Sequence, residues 1–138
     1  MKRPVAWRHL ARIYEMVGVS SMARVAVDRD LYSTPELDAL AADDRSAEEE
    51  ALALARDRGW TFAEPEPYRW DAVHGEEALT LPRLIRVLER DVFELDEIAR
   101  TTDDDEVASL ATRVRQDRRA LLAQLDTVYP GVTLPGAK

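Results

Sequence analysis

Asp44, Glu48, Asp91 and Asp117 are the side chains of this sequence whose type and spacing could do chemistry. At about 100° per residue, Asp44 falls between Leu40 and Ala47 on one apolar stripe and Asp117 between Val114 and Leu121 on another. Glu48 lies beside Asp44, and Asp91 stands at the edge of a third stripe. Carboxylates turned toward an interior need a cation, a hydrogen-bonding partner or a raised pKa. A metal ion is one such cation. Arginine is another: the stripe Leu10, Ile13, Val17 continues through Ser21, Arg24 and Asp28, which points Arg24 inward to compete with a metal, and Arg118 could satisfy the same acids. If the helices are phased differently, all these groups face water instead.

Four helical segments would position them. The first runs from about Val5 to Tyr32. Thr34-Pro35-Glu36 supplies a hydroxyl cap, a proline at the first helical position and an early acid, so a second helix starts there and ends after Arg56 and Arg58 at Gly59. Ser46-Ala47-Glu48-Glu49 is a capping-box pattern inside it, which allows a break near Arg45. Thr80-Leu81-Pro82 opens the third, with Leu81, Leu84, Leu88, Val92, Leu95 and Ala99 in phase. Thr102 and the three aspartates after it cap the fourth, which ends near Tyr129-Pro130-Gly131. Short connections imply antiparallel neighbours, whereas residues 59–80 are long enough to retrace a helix of about 33 Å and let the second and third run parallel. The fold expected is all-α: one domain over residues 1–138, a four-helix bundle of two helical hairpins joined by a long crossover.

A long helix, a Pro-Glu-Leu turn at 35–37, a second helix with a carboxylate cluster, a crossover and a second hairpin together resemble the ferritin-like, rubrerythrin-type superfamily. The resemblance spans nearly the whole chain, through generic motifs. It implies a pair of metal ions, iron or manganese, held by glutamates of two helices and Glu-x-x-His of the other two. Glu48 stands where one such glutamate would be, but Ala51 replaces its histidine, and Arg118 and Leu121 occupy the matching positions of the fourth helix. What the resemblance implies here is a degenerate site, with Asp44, Glu48, Asp91 and Asp117 as candidate ligands and Arg24 as the competing cation.

Elsewhere the chemistry is thinner. His9 and His74 lie outside the ligand helices, and Glu15 is well off its stripe. Trp60, Phe62, Tyr68 and Trp70 crowd the crossover among Pro65 and Pro67 and are expected to pin it to the bundle. Gly18-Val19-Ser20-Ser21 with Arg24-Val25 is a poor helix-turn-helix match, because Tyr14 fills a position that needs a small residue. There is no serine triad, phosphate-binding glycine loop or zinc motif, and with no cysteine there is no thiol chemistry. A net charge of −8 repels nucleic acid and anionic membranes, and no apolar run is long enough to span a bilayer, so a cytoplasmic protein is expected. Met16, Val19, Ala23 and Val27 give the first helix a second apolar face, which points to a homodimer, with a kink at Gly18 as the alternative. The functional expectation is a non-catalytic bundle for association or scaffolding, needing no cofactor. Its alternative is a carboxylate-rich di-metal protein, binding iron or manganese or handling oxidants.

Overall fold

The computed structural model describes residues 4–18, 21–28, 34–62 and 81–128. All regular structure among them is helical: α1 Val5–Val17, α2 Met22–Asp28, α3 Pro35–Asp57, α4 Leu81–Thr101 and α5 Asp105–Val128. None of these helices is long and apolar enough to cross a membrane.

Local chemistry accounts for most of the boundaries. The Thr34 hydroxyl accepts a hydrogen bond from the Leu37 amide at 3.1 Å, Pro35 needs no donor partner at the first helical position, and Glu36 and Asp38 face the positive end of α3. Gly59 leaves that helix at φ 69°, in the left-handed region glycine enters without strain. Asp104 Oδ1 accepts from the amides of Glu106 at 3.0 Å and Val107 at 3.3 Å and so caps α5. The internal capping-box pattern at Ser46 does not interrupt α3, which is continuous from Pro35 to Asp57.

The expected first helix, by contrast, is two helices. α1 stops at Gly18, whose amide donates to the Tyr14 carbonyl at 2.9 Å. A Cβ on Gly18 would lie 2.7 Å from that carbonyl oxygen, which is backbone, and 2.8 Å from Glu48 Oε2, the end of a flexible side chain, so it is the turn of the α1 backbone itself that calls for glycine. The change of direction puts Met16 and Val17 from α1, and Met22, Ala23 and Ala26 from α2, into one interior. Met16 and Ala23, assigned from sequence to a second face, are therefore core residues. Val19 lies outside the described residues.

Cross-helix bonds set the registers. Asp44, Glu50 and Arg58 of α3 and its end meet Arg118, Arg113 and Asp104 in that order, so α3 and α5 are antiparallel. Asp91 and Asp96 of α4 meet Arg118 and Arg115, so α4 and α5 are antiparallel as well. Trp7 Nε1 donates to the Thr61 carbonyl at 3.2 Å, and Phe62 lies against Tyr14 and Trp7 with centroids 5.4 and 6.1 Å apart. The residues that follow α3, to Phe62, are thus held on α1; Tyr68 and Trp70 lie outside the described residues.

The buried apolar side chains form two clusters. One gathers Leu10, Ile13, Leu54, Leu95, Leu110 and their neighbours; the other gathers Leu37, Leu40, Leu84, Leu88, Leu121 and theirs. On each chain segment that passes between them stands a polar residue: Ser21 after Val17, Asp44 between Ala41 and Ala47, Asp91 between Leu88 and Leu95, Arg118 between Val114 and Leu121. A polar layer divides the core.

Candidate functional site

Arg118 is the centre of that layer. Its residue is 1 % exposed, and its guanidinium reaches two helices: Nη1 and Nη2 donate to Asp44 Oδ1 and Oδ2 at 2.8 and 3.2 Å, and Nε donates to Asp91 Oδ2 at 3.0 Å. The forked pair with Asp44 is the geometry in which arginine binds carboxylates most strongly. Ser21 Oγ donates to Asp44 Oδ2 at 2.6 Å and accepts from the Arg24 amide at 3.3 Å. One hydroxyl thus caps the start of α2 and completes the bonding of Asp44, tying the break after α1 to the triad.

One guanidinium faces two carboxylates, so the fully ionised layer carries an excess negative charge. Asp91 bears it. Burial pushes its carboxyl up from the usual range, and Arg118, although it pulls the other way by charge and hydrogen bond, does not cancel that shift. Burial also opposes the charge of Arg118, but attraction to Asp44 and Asp91 and the bonds to both more than offset it and hold the guanidinium above its ordinary value.

The remaining candidates part company. Glu48 is not in the layer but beside it, paired at 3.2 Å with Arg24, whose Nη1 also donates to the Val17 carbonyl at 3.2 Å. Arg24 is therefore not the internal cation expected from sequence: α2 turns at the break, and its side chain lies across the gap between α1 and α3. Asp117 is a second correction. It is half-buried on a groove of about 320 Å³ between α3 and α5, with Asp43 and Glu36, where burial and then repulsion from Asp43 raise its pKa. The buried row of α5 is Val107, Leu110, Ala111, Val114, Arg118, Leu121 and Leu125, and at about 100° per residue its centre lies about 30° from 118 and about 70° from 117, leaving 117 at the rim. The apolar stripe read from sequence, Val107, Leu110, Val114, Leu121, Leu125 and Val128, centres about midway between 117 and 118, so periodicity alone does not separate them.

A second ion pair closes the flank nearest Asp91. Arg12 of α1 donates to both oxygens of Glu94 at 2.7 and 3.0 Å, and this hydrogen bonding lowers the Glu94 pKa. The donor set does not fit a metal pair. Asp44 spends both oxygens on Arg118 and Ser21, Asp91 spends one on Arg118, Glu48 is bonded elsewhere, and Asp117 faces another groove. Among the described residues, no three His, Cys, Asp or Glu side chains converge. His9 lies on α1, its pKa lowered by burial and by Arg8, and His74 lies outside the described residues. Comparison with known proteins finds no match: no family model fits the chain, and no curated protein or solved structure is significantly similar to it.

Proposed function

We propose that this chain is a non-catalytic helical bundle that acts through association with protein surfaces, on a ferritin-like plan whose metal position is filled by a side chain. The observation that carries this reading is Arg118. It occupies the middle of the interior, and its guanidinium takes the carboxylates that would otherwise attract a metal. The antiparallel registers of α3 with α5 and of α4 with α5 support the bundle plan, since α3 and α4 then point the same way.

A buried arginine with two aspartates is a positioning device more than a source of stability. Desolvation offsets most of the attraction, yet any packing that separates the partners leaves a charge stranded in a dry core. Such a layer fixes the register of α3, α4 and α5 and presents their outer faces in one arrangement, which suits a scaffold.

Elemental analysis of protein purified without chelator separates this reading from the di-metal alternative. The expected result is no stoichiometric iron or manganese, before or after adding either ion under reducing conditions. A stoichiometric metal, lost on Asp44→Ala or Asp91→Ala, would contradict it.

A further inference from the structure

Asp91 has one oxygen more than its cation can hold. Its Oδ2 accepts from Arg118 Nε at 3.0 Å, but the fork of that guanidinium belongs to Asp44. The Asp91 side chain is only 10 % exposed, so its second oxygen needs either a proton or another cation. Two arginines near the layer are engaged elsewhere: Arg24 holds Glu48 and the Val17 carbonyl, and Arg115 holds Asp96. Arg12 is different. Its Nε and Nη2 sit on Glu94, three positions on from Asp91 and its neighbour on the surface of α4, while its Nη1 meets Glu15 only at 3.6 Å, beyond hydrogen-bond length. Arg12 and Asp91 already act on each other, since the charge of each favours the ionised form of the other.

We propose that Arg12 is a shared cation and a proton-operated latch: it lies on Glu94 while Asp91 carries a proton, and it turns to Asp91 when that proton leaves. The reason is a difference in access to water. Two acids compete for one guanidinium, and the one that gains more from it is the one that water reaches less. Glu94, 36 % exposed, can be solvated once Arg12 departs, whereas an ionised Asp91 cannot. The two titrations are also kept apart. Hydrogen bonding from Arg12 lowers the pKa of Glu94, with Arg90 adding to the effect, whereas burial raises that of Asp91, and Asp44 adds to it against Arg118 and Arg12. Glu94 therefore ionises first as pH rises and takes Arg12; Asp91 ionises afterwards and draws it away. The charges acting on Asp91 come from α5, α1 and α3 as Arg118, Arg12 and Asp44, and the start of α2 supplies the neutral Ser21 hydroxyl, bound to Asp44. Three residues along α4 are about 4.5 Å, a distance an arginine side chain covers by rotating, so no helix has to move. The proton content of the dry layer is thereby reported at the seam between α1 and α4, where Glu94 is clasped when the layer is neutral and open to solvent when it is charged. This latch does not depend on the chain's association with any partner.

Nuclear magnetic resonance of the isotope-labelled full chain, titrated from about pH 3.5 to about pH 8, tests this by following the carboxyl carbons of Asp91 and Glu94 and the Nε–H of Arg12. Circular dichroism establishes that each variant is folded, and the Arg12 signal of the parent needs no variant at all. That signal is expected to move with the midpoint of Asp91 rather than that of Glu94, and Asp91→Asn is expected to abolish the movement. Arg12→Gln should raise the Asp91 midpoint by at least about half a pH unit. Glu94→Gln should lower it by releasing Arg12, and should do so much less in the Arg12→Gln background, where there is no cation to release. An Arg12 signal indifferent to the titration of Asp91 overturns the latch, as does an Asp91 midpoint unmoved by Arg12→Gln. An equal effect of Glu94→Gln in both backgrounds also overturns it, because repulsion between the two acids would then account for the whole change.

Discussion

Arg118 and Arg58 carry out the same bonding in two different media. Each guanidinium makes a forked pair with one aspartate and a single bond to a second acid: Arg118 with Asp44 and Asp91 in the core, Arg58 with Asp104 and Glu106 where α3 ends beside the start of α5. Access of water differs, and Asp104 also accepts the amides of Glu106 and Val107. At the end of α3 the hydrogen bond from Arg58 outweighs burial and lowers the Asp104 pKa, whereas in the core burial outweighs Arg118 and raises that of Asp91. Arg58 also donates to the Leu54 carbonyl and lies 5.7 Å from the centre of the Trp60 ring, so its loss exposes little that water cannot satisfy. The comparison teaches that identical ion pairs can do opposite work. The outer one is a modest clasp, and the inner one costs desolvation but punishes every alternative packing.

Breaking the inner pair gives the largest effect. Arg118→Met leaves two buried carboxylates without a cation and is expected to destabilise the fold by about 3–5 kcal/mol, read from urea unfolding. Asp44→Asn should come next, at about 2 kcal/mol, because it spoils both the fork with Arg118 and the Ser21 bond. Asp91→Asn should cost less than about 1 kcal/mol, since it removes the excess charge while its amide oxygen can still accept from Arg118 Nε. If Asp91→Asn proves as damaging as Asp44→Asn, the assignment of that charge to Asp91 is mistaken.

The two regions should also titrate in opposite senses. Asp104 and Glu94 have lowered pKa values when folded, so they stabilise the protein above the ordinary carboxylate range and lose that contribution as pH falls through their folded values. Asp91 has a raised value, so its contribution is complete below the ordinary range and is lost as pH rises through its folded pKa. Unfolding midpoints measured upward from about pH 4 should therefore show Asp91→Asn gaining on the parent as pH rises. A constant gap would mean that Asp91 is ionised alike in both states. Arg58→Met is the smallest change, about 1 kcal/mol or less and diminishing in high salt; a salt-independent loss would place that cluster with the core instead.

How far the residues announced this arrangement depends on whether a feature is local. Thr34-Pro35, Gly59 and the aspartates before Val107 mark helix ends by chemistry acting within a turn, and the structure has those ends. Inward carboxylates at 44 and 91 were legible from periodicity. The break at Gly18 was legible only as a possible kink, because a lone glycine is tolerated within a helix, and what requires glycine here is the 2.7 Å approach of the Tyr14 carbonyl once the backbone has turned. Arg24 and Arg118 were both visible as internal cations, and choosing between them required knowing that α2 turns. Asp117 and Arg118 are neighbours about 100° apart, so a small error of phase exchanges a core residue for a rim one.

A thermodynamic cycle tests most directly whether Arg118 is the cation that the inner carboxylates require. Arg118→Met is measured by urea unfolding in the parent and again in the Asp44→Asn/Asp91→Asn background, at one pH near neutrality. The expected result is a cost of several kcal/mol in the parent and about 1 kcal/mol or less in the neutralised background, a coupling of at least about 2 kcal/mol. Equal costs in the two backgrounds would show that Arg118 contributes only its packing and that the acids are satisfied by something else.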